Sequence, residues 1–150
     1  MLGDPANASK IHRLALWLVV LVALSLRLVR LDFQPLWWDE GWSLYFARTS
    51  LGAMLELTAV DIHPPFYYLL LHLWTGVLGP ASYMVRLLSV LVGTATVALI
   101  YPTGRALLGK RGGLLAALLL AVSPFHIFYS QEVRMYGLVT LLGLAAFLCA

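Results

Sequence analysis

Apolar residues in this chain fall in long unbroken blocks, with no alternation and no heptad repeat. Four blocks, 13–31, 83–108, 112–129 and 135–150, are long enough, or nearly so, to cross a bilayer as helices. A fifth, 66–78, is shorter. Thirteen residues of helix reach about 20 Å, against a hydrocarbon core of about 30 Å, so this block predicts an interfacial or re-entrant helix. Pro64 and Pro65 start it, because first-turn N–H groups lack helical partners anyway, which gives a helix over about 64–78. Between the first and second spans, 40–57 reads as an amphipathic helix with Trp42, Tyr45 and Phe46 on helical spacing. Gly79–Pro80 and Gly112–Gly113 punctuate turns, and Pro124 should kink the third span near its end. The pattern predicts an all-α, polytopic transmembrane helix bundle with interfacial amphipathic helices in its first outer loop.

Composition strengthens this reading. Only 11% of the 150 residues are charged and 61% are apolar, whereas soluble domains carry about 25% charged residues. Lys10 and Arg13 precede the first block, and Arg27 and Arg30 close it without a small-x-small cleavage site. This describes an uncleaved signal anchor. The single Cys149 allows no disulfide within the chain. The last apolar block is still running at residue 150, so the chain reads as the front part of a longer protein, truncated at its C-terminus.

Charge placement orients the bundle. Arg105, Lys110 and Arg111 form the tightest basic cluster, in a short loop that the positive-inside rule assigns to the cytoplasm with Lys10 and Arg13. Both loops fall inside only if 66–78 does not span. The expected protein is then a multi-pass protein of the cell (plasma or inner) membrane with a cytoplasmic N-terminus. The loop 32–82 and the turn 130–136 share the extracytoplasmic face, where Asp39, Glu40, Asp61, His63, Glu132 and Arg134 could meet.

Each of these residues has a plain reading and a chemical one. Asp39 and Glu40 suit the first turn of a helix, whose N-terminal end favours carboxylates. Flanked by Trp37, Trp38 and Trp42, such a carboxylate is also partly desolvated, which makes it a better proton acceptor. His63, just ahead of the Pro-Pro pair, is an interfacial histidine that could hold a phosphate when protonated or ligate a metal with nearby acids. Arg134 is a snorkelling arginine or a clamp for a lipid phosphate, and Glu132 a turn residue or a second acid. Arg27, Arg30 and Arg86 lie near the outer ends of spans, where snorkelling to headgroups explains them and the same geometry could hold an anionic lipid. His72 reads as packed; His126 fits either role.

The ordered set of motifs resembles the N-terminal part of GT-C-fold membrane glycosyltransferases. It comprises the acidic pair 39–40, then "HPPFYYLLLHLW", then "VRLLSVLVGTATVALIYPTGRALLGKRGGLLAALLLAVSPFHIFYSQEVRMY". The branch most similar is the one related to protein O-mannosyltransferases and the aminoarabinose transferase of lipid A (glycosyltransferase family 39-like), and the likeness covers nearly everything from Arg27 onward. The resemblance implies a polytopic enzyme using a polyprenyl-phosphate-linked sugar. It puts the family's acidic active-site motif on Asp39 and Glu40, its basic-Pro-Pro motif on His63, Pro64 and Pro65, and its later basic residue on Arg134. Where many relatives carry a second aspartate, this chain has Glu132, two residues before Arg134.

The expected function is transfer of a sugar from that lipid-phosphate donor to a lipid, glycan or protein acceptor at the outer face, with inversion. Asp39 would be the base with Glu40 beside it, and His63, Arg134 and Arg27 would hold the donor phosphate. Glu132 would be a second acid or metal ligand, a divalent cation being one source of positive charge. Membrane lipids are expected partners; nucleic acid is not. The rival readings are a transporter or lipid-linked-sugar flippase, whose charges would sit near mid-span, and a structural membrane subunit with dispensable outer acids.

Overall fold

The computed structural model describes residues 5–61 and 63–149, with side chains from residue 9 onward. Residue 150, the end of the expected fourth span, lies outside the described residues. The fold is all-helical, with no strand among the described residues. Seven helices follow in order: α1 Pro5–Leu28, α2 Trp38–Arg48, α3 Leu51–Ala59, α4 Phe66–Leu78, α5 Ser82–Ala121, α6 Pro124–Ser130 and α7 Tyr136–Cys149. Two stretches, Ser9–Leu28 and Ser82–Ala121, are long and apolar enough to cross a bilayer, and α4 and α7 are shorter apolar helices. Leu14, Trp17, Leu18 and Leu21 of α1 are all more than half exposed. A soluble protein would bury such a stripe.

Two boundaries differ from those the sequence predicts, each for a local reason. The expected helix 40–57 is two helices. The Thr49 hydroxyl donates to the Phe46 carbonyl and so closes α2, while the Ser50 hydroxyl accepts from Ala53 N–H and opens α3. The long α5 is not one rod. Gly109 has φ 74°, a left-handed conformation that glycine adopts without strain, and the chain doubles back there. Residues 101 and 113 would stand about 18 Å apart in a continuous helix; instead a Cβ on Gly113 would lie 2.6 Å from the Tyr101 carbonyl oxygen. The second difference lies in the third expected span, 112–129, which ends at Ala121. Ser123 is extended ahead of Pro124, and its side chain accepts from His126 N–H to start α6.

The two limbs of α5 and the length of α1 pack side by side, with Ala23, Val97, Ala117 and Ala121 buried between them. His12 of α1 donates through Nε2 to the Lys110 carbonyl (2.9 Å), which places one end of α1 at the basic turn. At the other end Arg27 bonds the Ala121 carbonyl and Ser130. These two points are about 22 Å apart along the helix. The second end carries α2, α4, α6 and the turn before α7, packed over Met54, Tyr67, Tyr68, Leu71, Val85 and Val133.

Candidate active site

Glu40 and Arg86 organise this end. Arg86 of α5 is buried and every one of its five N–H donors is used: Nε to Glu40 Oε1 (2.9 Å), Nη2 to Glu40 Oε2 (2.6 Å) and to the Pro35 carbonyl (3.3 Å), and Nη1 to the Leu31 and Gln34 carbonyls (both 2.9 Å). Glu40, fully buried, is equally saturated. Its Oε1 also accepts from Val133 N–H (3.0 Å) and its Oε2 from Trp37 N–H (3.3 Å). Paired and bonded in this way, two buried charges offset the cost of leaving water. The result ties the loop after α1, the first turn of α2 and the turn before α7 to one point.

That point fixes Asp39 and Arg134, the chain neighbours of Glu40 and Val133. Arg134 is 7% exposed and turns inward through a tight bend in which its N–H donates to the Glu132 carbonyl (2.8 Å). Its Nη1 donates to the Asp39 carbonyl (3.4 Å), and its Nη2 lies 3.9 Å from Asp39 Oδ2 and 3.4 Å from His63 Nε2. His63 Nδ1 faces Asp61 Oδ2 at 3.1 Å. An arginine only donates, so the pair of contacts fits neutral His63 with its proton on Nδ1, given to Asp61, and Nε2 accepting from Arg134. Asp39, Asp61, His63 and Arg134 line one cavity of about 320 Å³ with Trp42, Phe46 and Tyr68. The Asp39 side chain remains 38% exposed to it. Arg134 Nε is buried with no partner among the described residues. Burial raises the Tyr68 hydroxyl above its ordinary pKa, so it stays a hydrogen-bond donor on the cavity wall.

A carboxylate, an arginine and a histidine thus share an aromatic-walled cleft at one end of an apolar helix bundle. The family model described as dolichyl-phosphate-mannose-protein mannosyltransferase matches residues 62–150, more than half of the chain. The chain belongs to that family. No curated protein and no solved structure matches it.

As a member of the dolichyl-phosphate-mannose-protein mannosyltransferase family the chain is a glycosyltransferase of the GT-C type. The family and the apolar helices together mark a membrane protein. The other expected site residues of this mannosyltransferase-like protein lie away from the cleft. Arg27 is fully buried and does not reach the cleft. Its guanidinium donates to the Ala23, Leu120 and Ala121 carbonyls, to Ser130 Oγ and to His126 Nδ1 (2.7 Å), which fastens α1 to the broken end of α5 and to α6. Neither Arg27 nor Arg86 snorkels: both are buried among carbonyl oxygens, where their donors replace water. Arg30 stays exposed. Glu40 is held away from the cleft by its bonds to Arg86, and Glu132 lines a different cavity on the far side of that pair. His72 is packed, with Nδ1 donating to the Ala47 carbonyl (2.7 Å). No group of three or more His, Cys, Asp or Glu side chains among the described residues is placed to hold a metal ion.

Sequence reading missed the role of Arg86. Its signal was there: an arginine four residues inside a long apolar helix, following a loop that carries an acid. Linear order gives no depth, and only the folded loop shows that the guanidinium points inward.

Proposed function

We propose that the protein transfers a sugar from a polyprenyl-phosphate donor to a hydroxyl or amine acceptor at the extracytoplasmic surface, with inversion at the anomeric carbon. One observation carries the reading: Asp39, His63 and Arg134 line a single cleft, with a carboxylate that remains open to it. Asp39 takes the proton from the acceptor as its oxygen or nitrogen bonds to the anomeric carbon. The bond from that carbon to the phosphate oxygen breaks, and its electron pair leaves with the polyprenyl phosphate. Arg134, whose side chain lines the cleft, stabilises the charge that develops on the phosphate. Neutral His63 braces Arg134 through Nε2 and is itself oriented by Asp61. Glu40 acts through position: it holds Asp39 and Arg134 at their separation and is not the base.

The membrane orientation follows from charge. Lys10, Arg13, Arg105, Lys110 and Arg111 gather at the end opposite the cleft, which puts that end and the N-terminus in the cytoplasm. Membership of a glycosyltransferase family favours transfer over a transporter or flippase. The test uses the intact protein in lipid nanodiscs with an α- or β-configured polyprenyl-phosphate sugar, and reads the product's anomeric configuration by NMR. Inversion is expected; retention would overturn the direct displacement.

A further inference from the structure

A second cavity, of about 320 Å³, lies on the far side of the Glu40–Arg86 pair and has no part in the chemistry above. Its polar lining is unusual. Glu132 is 8% exposed and lines this cavity. Arg86, the buried cation lining that cavity, has no donor left to offer. Glu40 next to it adds a second negative charge, and burial together with Glu40 raises the Glu132 pKa. Burial and a neighbouring carboxylate, only partly offset by the charges of Arg134 and Arg86, leave this acid favouring a cation in the cavity.

The same cavity has a cation at its rim. Arg30 ends α1 with a left-handed backbone, φ 56°, uncommon for a residue with a side chain. The bend lays its guanidinium over the Phe33 ring, 3.6 Å from the centroid, and leaves its donors free of described partners. Arg30 and Glu132 are not paired with each other. Phe33 and Phe128 form the apolar wall, and Gln34 and Gln131 add polar atoms. The site sits two residues beyond the membrane-crossing helix Ser9–Leu28, at headgroup depth.

We propose that this cavity binds the headgroup of a zwitterionic phospholipid bearing a primary ammonium, with the ammonium on Glu132 and the phosphate on Arg30. The separated charges of the site match the two charges of an ethanolamine-type headgroup. A choline headgroup lacks an N–H to donate to the carboxylate, and a glycerol headgroup lacks the positive charge. The inference concerns binding alone and does not depend on the transfer reaction.

The test is lipid retention. The intact protein is delipidated in detergent, equilibrated with equal amounts of phosphatidylethanolamine and phosphatidylcholine of the same acyl chains, and read by native mass spectrometry. The ethanolamine lipid is expected to be retained at least about tenfold better, the scale of one charge-assisted hydrogen bond. Glu132→Gln, close to isosteric, should bring the ratio to within about twofold. Arg30→Gln, at an exposed position, should lower retention of both lipids and leave the ratio unchanged. Equal retention by the unaltered protein, or a preference that survives in Glu132→Gln, would overturn the proposal. Soluble phosphoethanolamine that competes as well as the lipid would overturn the assignment of a membrane lipid as the ligand.

Discussion

Glu40 and Arg86 form a buried two-point ion pair, 2.6 and 2.9 Å across, 46 residues apart in sequence, and neither has a hydrogen-bonding position to spare. The pair does for this end of the molecule what a ligated metal does elsewhere: it gathers three loops whose own sequences hold them together poorly. Through Val133 N–H it also sets how far Arg134 stands from Asp39.

Removing one partner of such a pair leaves the other charged, buried and uncompensated. Glu40→Ala is expected to destabilise the protein by about 3–5 kcal/mol, read by thermal or denaturant unfolding in detergent. Glu40→Gln keeps an oxygen for Val133 N–H and should cost less. A loss below about 1 kcal/mol for Glu40→Ala would mean that the pair does not hold the loops.

Arg134 is expected to be irreplaceable by lysine. A point charge on a flexible stem cannot bond the Asp39 carbonyl and His63 while also offering a further N–H to a phosphate. Arg134→Lys should lower kcat/KM for the lipid-phosphate donor by about 10- to 150-fold, the equivalent of one charged hydrogen bond of about 1.5–3 kcal/mol. Steady-state kinetics in nanodiscs measures it.

The buried acid at position 132 predicts a pH dependence of stability. Its folded pKa lies above the ordinary glutamate value of 4.5, because of burial first and Glu40 second. Between 4.5 and that raised value the native state binds more protons than the unfolded state. Stability is therefore lost as pH rises through this window and regained as pH falls back below it. Melting temperatures of Glu132→Gln measured across the same range should lack this component. An unchanged slope would show that Glu132 titrates alike in both states.

The hairpin at Gly109 depends on close backbone approach. A methyl group on Gly113 would lie 2.6 Å from the Tyr101 carbonyl oxygen and 2.9 Å from Arg105 N, both backbone atoms. Gly113→Ala is expected to destabilise by about 1–3 kcal/mol through forced separation of the two limbs of α5. Gly143, with open space around its Cα, is the control: Gly143→Ala should be neutral or slightly stabilising.

The helices were legible because their cause is local. The apolar blocks sit where α1, α4 and the first limb of α5 form, and the Pro-Pro pair marks the start of α4 to within two residues. Breaks were partly legible: Pro124 marks the end of the third block, where Ser123 opens a new helix, whereas Thr49–Ser50 is a stop followed by a start inside the expected helix 40–57. The Thr49–Ser50 break is hidden because the hydrophobic pattern runs through it. The cleft was half legible. Its acid and its cation stand out from apolar surroundings, but Glu40 and Asp39 are adjacent in sequence and opposite in role, and only burial separates them. Arg27 and Arg86 look like headgroup arginines in one dimension, and their partners are carbonyl oxygens from the broken end of α5 and from the loop after α1. No residue type announces a carbonyl that a distant helix break has left unbonded.

The most direct test of the transfer chemistry is single-turnover sugar transfer by Asp39→Asn in the intact protein, run beside equilibrium binding of the donor. The amide keeps the shape of the side chain and loses the proton acceptor. The account predicts donor affinity within about threefold of the unaltered protein and transfer slowed by about 10²- to 10⁴-fold, the range of a positioned general base. Transfer at an unchanged rate would contradict it.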